Sequence, residues 1–397
     1  MNILLIIEGT YPWYRGGVSE WVYQYLTHLS GFQFTILQIA TDEFHGLDPE
    51  DALYPLTSNV KKFIRIPPPQ IEGDYAEYLK TWFESISVDK LISEEDFHTV
   101  HVTNTGFAGW LGSKISKSSD VPMLLTEHAI YWKEVEMGAV ALECGYKIPA
   151  TTEEKSNTIS AFKDFASFTY SNAAQIVTVS ESNIPYQKEL GALDIEYIPN
   201  GIPSSWLTAE KERKSKPVIG WVGRCAEMKN PLAFFELVDQ FREADLSPEF
   251  TMLLSDANEI ALEAKVRERA EQYPEVECIW NQSAKEFFID FDFLAITSHN
   301  ESQPLVMLEA LAKRALPVGF RVGDLTEKYG LVIDKGASFG DLANEIAVLW
   351  SQKPMFEKFV AERYNRVKQE HTWEHIFNIY KQLIVEVSDM EAISSIE

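Results

Sequence analysis

The chain has 397 residues, 45% apolar and 12% aromatic, which is enough to build two or three globular domains with their own cores. Its 60 acidic residues outnumber 35 basic ones, and a net charge of −25 argues against binding to a nucleic-acid backbone. Its three cysteines are far apart and form no Cys-x-x-Cys pair, which argues against a disulfide framework or a structural zinc.

The first half of the chain alternates short apolar runs with helical patterns at residues 19–29 and 156–173. The apolar runs are continuous, which is typical of parallel strands buried on both faces. This alternation predicts an α/β fold with an open, doubly wound sheet. The predicted strands are residues 3–7, 34–39, 99–102, 123–125 and 176–179.

The N-terminal residues 1–8 read as a first strand, because they lack the basic lead and the cleavage site of a signal peptide. No apolar run reaches the roughly 18–20 residues of a membrane span. We therefore expect a cytoplasmic protein, and peripheral association with the inner membrane face stays open.

A glycine pair, Gly16-Gly17, follows the first predicted strand and precedes a helix. Glycine in such a loop allows positive φ and close approach of the backbone to a ligand, although turns use glycine pairs routinely. The sequence has no Gly-x-Gly-x-x-Gly, which argues against a nicotinamide-dependent dehydrogenase.

A second candidate is His128, which follows Glu127 at the end of the predicted strand 123–125. A histidine there can hydrogen-bond a sugar hydroxyl, and a purely structural histidine is an equal alternative. Glu127 is either a partner of this histidine or a capping acid.

A break follows the first half. Pro, Asn and Gly in residues 199–203 are turn formers, and residues 208–217 form a charged polar stretch. We interpret this segment as a linker between domains. The predicted parts are an N-terminal domain at 1–203, a linker at 204–216 and a C-terminal domain at 217–372.

The second half repeats the βα alternation without repeating the sequence, with helices at 259–272 and 342–350. Residues 354–387 read as one or two amphipathic helices, and we expect the helix at about 373–390 to pack back on the N-terminal domain. Two Rossmann-like domains facing across a cleft follow from this organisation. The predicted strands are residues 218–223, 250–254, 276–280, 291–297, 316–320 and 331–333.

Two cations, Arg224 and Lys229, lie five residues apart in the loop after the strand 218–223. A guanidinium fork and an ammonium at the carboxyl end of a strand can close on one diphosphate. Two solvated loop cations are the alternative, but the position in an acidic chain favours the binding role.

Residues 301–309 carry two carboxylates, Glu301 and Glu309, with Pro304 opening a helix between them. The N–H groups at the start of that helix, around Pro304, Leu305 and Val306, favour phosphate, and carboxylates accept hydrogen bonds from sugar hydroxyls. This layout predicts a ligand with both hydroxyls and phosphates. Taken alone, the two carboxylates could also serve as general acid and base.

The pair Asp290 and Asp292 matches the Asp-x-Asp pattern of metal-dependent sugar transferases. It precedes a predicted strand rather than following one, so we interpret it as a feature of the strand start and expect no metal site. No residue set at a recognisable spacing marks a covalent nucleophile.

The candidate residues, in their order along the chain, resemble the motifs of GT-B retaining glycosyltransferases of family GT4. They are Gly16-Gly17, His128, Arg224 with Lys229, and Glu301 with Glu309. The resemblance covers essentially the whole chain. The amino-acid sequences of residues 8–19, 126–131 and 301–306 are similar to those of the Pel exopolysaccharide glycosyltransferase (PelF-like) branch of this family.

The resemblance implies that Arg224 and Lys229 bind the diphosphate of a nucleotide-sugar donor and that Glu309 binds the ribose. It places Glu301 at the donor sugar, His128 near the reacting centre, and Gly16-Gly17 against the phosphates and the acceptor. It also implies retention of anomeric configuration without a protein nucleophile, and no metal or other cofactor.

The sequence departs from the family pattern at two positions. Gln303 stands where many members have an aromatic residue beside the sugar, and Asn281 stands where a glycine is usual. Neither the donor sugar nor the contacts to the base can therefore be transferred from the family.

The leading hypothesis is a glycosyltransferase that moves a sugar from a UDP-sugar to a hydroxyl of a saccharide or lipid-linked acceptor in exopolysaccharide, capsule or glycolipid synthesis. One alternative is a nucleotide-sugar epimerase or hydrolase of the same fold. The other is a catalytically silent nucleotide-sugar-binding subunit of a synthase complex.

Overall fold

The structure is a computed structural model that describes two compact units of the chain. The first unit runs from Met1 to Pro199 and resumes at Phe377, and the second spans residues 200–376. Arg15, which lies in the first motif at residues 8–19, and Cys144, one of the three cysteines, lie outside the described residues. The described residues are 1–9, 11–14, 16–41, 47–69, 75–86, 96–138, 146, 149–242, 246–257 and 259–390.

The first unit contains a seven-stranded parallel sheet in the order β3-β2-β1-β4-β5-β6-β7. Its inner strand β1 has no polar side chain over residues 3–7, and each of these residues is at most 1% exposed because helices cover both faces. The predicted doubly wound sheet is confirmed. The strands are β1 (Asn2–Glu8), β2 (Gln33–Ile39), β3 (Val60–Ile66), β4 (Thr99–Val102), β5 (Met123–Glu127), β6 (Gln175–Thr178) and β7 (Ile195–Tyr197).

The sequence prediction missed β3 and β7. The strand β3 reads Val-Lys-Lys-Phe-Ile-Arg-Ile and lies at the sheet edge, where charged side chains reach water and interrupt the apolar run. The strand β7 has only three residues and forms the opposite edge. Edge strands therefore lack the continuous apolar pattern that identified the buried strands.

Helices connect the strands of the first unit. The longest begins four residues before its predicted start because a capping box fixes its first turn. Thr151 Oγ1 accepts the N–H of Glu154 at 3.1 Å, and the Glu154 carboxylate accepts the N–H of Thr151 at 3.0 Å. The helices are α1 (Gly17–His28), α2 (Tyr75–Ser85), α3 (Phe107–Ser119), α4 (Tyr131–Glu136), α5 (Thr152–Asn172) and α6 (Ile184–Glu189).

The second unit repeats the architecture with a six-stranded parallel sheet in the order β10-β9-β8-β11-β12-β13. The strand predicted at 291–297 is shorter at both ends in the structure, where it spans Phe293–Ile296. The strands are β8 (Val218–Arg224), β9 (Glu249–Ser255), β10 (Val276–Trp280), β11 (Phe293–Ile296), β12 (Leu316–Phe320) and β13 (Leu331–Ile333).

Among the described residues of the second half of the chain there are six helices, and the predicted tail forms two of them. The last helix starts in the second unit and continues into the first, where Phe377 and Tyr380 pack on Trp21 with ring centroids 5.9 and 5.5 Å apart. The helices are α7 (Leu232–Arg242), α8 (Ile260–Glu271), α9 (Leu305–Ala312), α10 (Phe339–Ser351), α11 (Lys353–Glu370) and α12 (Trp373–Ser388).

The order of strands in the second sheet reverses between β8 and β11. The loop after β8 leads to α7, and the loop after β11 leads to α9. In open α/β sheets, ligands bind at the carboxyl ends of the two strands where the order reverses. This edge of the second sheet, with its two loops, is therefore the candidate position of a ligand site.

No helix in the described part of the chain combines the length and the apolarity needed to cross a bilayer.

Candidate functional site

The two loops at the switch point of the second sheet are joined by hydrogen bonds. Thr297 Oγ1 donates to the carbonyl of Lys229 or Asn230, at 3.0 and 2.8 Å, and accepts the indole N–H of Trp221 at 2.8 Å. The N–H of His299 donates to the carbonyl of Met228 at 2.9 Å. The β8–α7 loop therefore has a fixed position relative to the loop that carries the carboxylates.

The two predicted cations lie at opposite ends of the β8–α7 loop. Arg224 is the last residue of β8 and is exposed, and Lys229 ends a single turn of 3-10 helix at Glu227–Lys229. Asn230 follows with φ of +48°, a left-handed conformation that asparagine tolerates, and redirects the chain into α7. Both predicted cations thus occupy the carboxyl edge of the sheet.

Lys229 forms an ion pair with Glu301, although the two residues are 72 positions apart in the sequence. The Glu301 carboxylate also accepts a hydrogen bond from Ser298 Oγ at 2.7 Å. The side chains are 27% and 12% exposed, so the pair is partly screened but still reachable from solvent. The structure therefore brings two separately predicted motifs into one charged site.

Helix α9 begins directly after Pro304, the residue that the sequence analysis placed at its start. Among the described residues no side chain caps this helix end, so the N–H groups of its first turn, which includes Leu305 and Val306, can donate to an anion. Glu309 lies one turn further along α9 and is half-buried. The predicted phosphate-binding helix start and the second carboxylate thus belong to the same short helix.

Gln303 is one of the two positions at which the sequence departs from the family pattern. It is buried and turned inward, where its side-chain oxygen accepts the N–H of Asn200 at 2.6 Å and its amide donates to Asp324 at 3.0 Å. The N–H of Asp324 in turn donates to the carbonyl of Ser302 at 2.8 Å. Gln303 therefore anchors the loop that carries Glu301 to the interior of the second unit.

The predicted Asp-x-Asp pair lies at the amino end of β11, on the edge opposite the Lys229–Glu301 pair. Asp292 is buried, accepts a hydrogen bond from Arg213 at 2.9 Å and from the N–H of Val218 at 3.0 Å, and lies 3.9 Å from Lys211. This geometry agrees with a role in starting the strand. It also shows Lys211 and Arg213, from the predicted linker, buried against the second unit.

In the first unit, Gly16 and Gly17 lie where α1 begins, but neither uses a left-handed conformation. Gly16 is extended, with φ of −175°, and a Cβ there would meet nothing within 4 Å. Neither glycine therefore uses the positive φ that glycine allows. The glycine that does need it is Gly9, with φ of +93°, directly after β1.

His128 follows the carboxyl end of β5 and packs edge-on against Trp21, with ring centroids 4.9 Å apart. Its Nε2 atom is shielded from solvent and has no hydrogen-bond partner among the described residues. Burial lowers the pKa of His128 to about 3, so the imidazole is neutral at pH 7. A neutral ring can hydrogen-bond a hydroxyl but cannot act as a cation.

Glu127 has a structural role. Its buried carboxylate accepts hydrogen bonds from Thr105, Tyr170 and Gln187, each at 2.7 Å. Burial raises its pKa, whereas these three bonds oppose that rise. Glu127 therefore ties β5 to its neighbouring helices rather than capping a helix.

Glu8, at the end of β1, is a buried acid that the sequence reasoning did not single out. It accepts the N–H of Ala108 at 2.6 Å and the hydroxyl of Tyr146. Burial raises the pKa of Glu8 to about 7. Its signal in the sequence is an acid at the carboxyl end of an otherwise apolar strand.

Comparison with known proteins supplies the fold family. Residues 1–73 and 87–194 match a family model described as a domain of unknown function, DUF3492, and no curated protein matches. Sucrose-phosphate synthase from Thermosynechococcus elongatus gives a TM-score of 0.73 at 16% identity, covering 98% of this chain and 99% of that chain.

Two further solved structures are similar over nearly their whole length. Anabaena HepE in complex with UDP gives a TM-score of 0.70 at 14% identity, covering 97% and 100% of the two chains. The lipopolysaccharide outer core galactosyltransferase WaaB gives 0.65 at 13% identity, covering 97% and 100%. These likenesses confirm the predicted GT-B fold, with two Rossmann-like domains.

Proposed function

We propose that this protein is a glycosyltransferase that transfers a sugar from a nucleotide-diphosphate sugar, with UDP as the nucleotide, to a hydroxyl acceptor. The observation that carries the proposal is the Lys229–Glu301 ion pair at the switch point of the second sheet. It joins a cation suited to phosphate with a carboxylate suited to sugar hydroxyls. The HepE complex with UDP, on the same fold, supports the choice of nucleotide.

The diphosphate would lie between the β8–α7 loop and the start of α9. Arg224 offers a planar fork, Lys229 a point charge, and the first turn of α9 its N–H groups. Negative charge grows on the diphosphate as the bond to the sugar breaks. Fixed positive groups at that position stabilise the transition state more than the bound donor, which is what accelerates the reaction.

The two carboxylates would position the donor rather than exchange protons. Glu301 contacts Lys229 and Ser298 at the loop, so a sugar attached to a phosphate on Lys229 lies within reach of Glu301. Glu309, one turn along α9, is assigned to the ribose hydroxyls. The Lys229 ammonium would contact both a diphosphate oxygen and the Glu301 carboxylate. It would thereby connect the site for the diphosphate with the site for the sugar.

From the first unit we assign two further groups to the reaction. His128 is a neutral imidazole whose buried Nε2 has no hydrogen-bond partner among the described residues, which suits it to a hydrogen bond with a sugar hydroxyl. Gly16, with Gly17 at the start of α1, is assigned to the phosphates and the acceptor, because a Cβ at Gly16 would meet no described atom within 4 Å.

We further propose a retaining reaction in the manner of the GT4 PelF-like enzymes, in which the leaving diphosphate helps to deprotonate the acceptor on the same face of the sugar. This assignment needs no protein nucleophile, metal or cofactor. The acceptor would be a saccharide or a lipid-linked saccharide of exopolysaccharide, capsule or glycolipid synthesis. Such an acceptor suits a cytoplasmic enzyme associated with a membrane surface or a synthase complex.

The test is a mass-spectrometric screen of UDP-, GDP- and ADP-sugars for binding, hydrolysis and transfer to added saccharides. We expect a UDP-sugar to be consumed with formation of a glycoside. UDP release with an altered free sugar would instead indicate an epimerase or hydrolase. Binding of a nucleotide sugar without turnover under any acceptor would indicate a silent binding subunit.

A further inference from the structure

The loop that carries Glu301 is held on its inner side by a buried amide. Gln303 accepts the N–H of Asn200 and donates to Asp324, and Asp324 donates back to the carbonyl of Ser302. Gly323 makes this contact close, because a Cβ on it would lie 2.2 Å from the Ser302 carbonyl, and its φ is +52°. A movement of the loop is therefore passed to Gln303 and its partners.

Asn200 is the first residue of the second unit, so the bond from Gln303 reaches the point where the chain enters this unit. The carbonyl of Asn200 accepts a hydrogen bond from Nδ1 of His371 at 3.0 Å. Burial lowers the pKa of His371 to about 4, so the ring is neutral, and its Nε2 accepts the hydroxyl of Tyr329 at 2.8 Å.

His371 also lies beside the point where the chain leaves the unit. The N–H of Ile202 donates to the carbonyl of His371 at 2.9 Å, and the N–H of Trp373 donates to the carbonyl of Ile202 at 3.0 Å. We call residues 200–202 and 371–373 the crossing segments. They form a short parallel bridge, and its backbone bonds are continuous with the chain of side-chain bonds that ends at Gln303.

We propose that Gln303 is a positioning residue. It couples ligand binding at the Glu301 loop to the conformational order of the crossing segments. The links are buried hydrogen bonds. If one of them breaks, its donor and acceptor have no water to bond with, so breaking it costs free energy. A ligand that fixes the loop therefore also favours the bonded arrangement of Asn200 and His371. By reciprocity, loosening the crossing segments weakens ligand binding at the loop.

The inference rests on the proposed nucleotide site, and UDP is the probe. Hydrogen–deuterium exchange of the peptides that contain the crossing segments is measured with and without saturating UDP, while calorimetry measures UDP affinity. In the wild-type protein we expect UDP to slow exchange of the Ile202 and Trp373 amides by about fivefold or more.

Three variants separate coupling from general stability. Gln303→Ala removes the link at the loop, and Tyr329→Phe removes only the hydroxyl at the far end while keeping the ring in the core. Val266→Ala, in the buried core around α8, is the matched control for lost stability. We expect the UDP-dependent slowing to fall below twofold in the first variant, to decrease in the second and to persist in the control.

Full UDP-dependent slowing in Gln303→Ala would overturn the inference, and if that variant does not fold, full slowing in Tyr329→Phe overturns it equally. Wild-type protein that binds UDP without slower exchange of the crossing segments would overturn it while leaving the proposed function standing. Wild-type protein that binds no UDP would overturn both.

Discussion

Removal of the Lys229 ammonium is the sharpest perturbation of the proposed site. Lys229→Ala leaves the Glu301 carboxylate with Ser298 as its remaining hydrogen-bond donor in the loop. Under the proposed function it also removes one positive group from the leaving diphosphate. Loss of one such electrostatic donor costs about 10²–10³ in rate.

The effect on folding is expected to be much smaller. The Lys229 side chain is 27% exposed, and partly exposed ion pairs contribute about 0–1 kcal/mol to stability. We therefore expect the variant to unfold within about 1 kcal/mol of the wild-type protein. A large loss of rate with a small loss of stability would show that the substitution acts on catalysis and not on folding.

The assay is release of UDP from the donor identified by the screen, measured as kcat and kcat/KM alongside urea unfolding. Lys214→Ala is the matched control, because Lys214 also pairs with a glutamate of the second unit, Glu249, but is 60% exposed. Equal rates in the wild-type protein and in Lys229→Ala would refute the role given to this lysine.

Three further predictions concern carboxylates at different places in the structure. Glu309→Ala is expected to raise KM for the donor, as lost ribose contacts should, whereas Glu301→Ala is expected to lower kcat by slowing transfer. Asp292→Asn is expected to destabilise the protein by about 3 kcal/mol in urea unfolding, because it removes the buried carboxylate that pairs with Arg213 and Lys211, while Arg213 keeps its ion pair with Glu357, whose side chain is 46% exposed. Glu8→Gln is expected to gain stability relative to the wild-type protein as pH rises from 5 to 8. The folded-state pKa of Glu8 is about 7 against an unfolded value of 4.5, so wild-type stability is lost by up to about 3 kcal/mol through this window.

Each of these predictions has an outcome that contradicts it. The opposite assignment of KM and kcat effects between Glu301 and Glu309 would reverse their roles. A stability loss in Asp292→Asn no larger than that of Glu249→Gln, at an exposed ion pair, would show that the buried cluster is not structural. Parallel stability profiles from pH 5 to 8 for Glu8→Gln and the wild-type protein would show that Glu8 does not keep its proton.

Much of the second unit's site could be predicted from the sequence. Strands buried on both faces have continuous apolar runs, and parallel strands bring their carboxyl ends to one edge. That rule alone places Arg224, Lys229 and Glu301 at the same edge of the sheet. It does not predict that Lys229 and Glu301 pair, because pairing depends on how two loops of irregular backbone approach each other.

Other features required the structure because they depend on long-range contacts. The sequence alone does not show that Gln303 is buried, because its hydrogen bonds to Asn200 and Asp324 come from distant parts of the chain. Glu8 reads as the polar end of a strand, and its burial depends on α3 and Tyr146. The edge strand β3 was missed because its charges follow from exposure at the edge, not from local propensity.

The central claim is a nucleotide-diphosphate site at the carboxyl edge of the second sheet. Calorimetric titration with UDP of the wild-type protein and of the double variant Arg224→Ala, Lys229→Ala tests it most directly. We predict saturable binding by the wild-type protein and at least about tenfold weaker binding by the double variant, since charge-assisted hydrogen bonds contribute about 1.5–3 kcal/mol each. Equal affinity in both proteins, or no binding by either, would contradict the assignment of this edge.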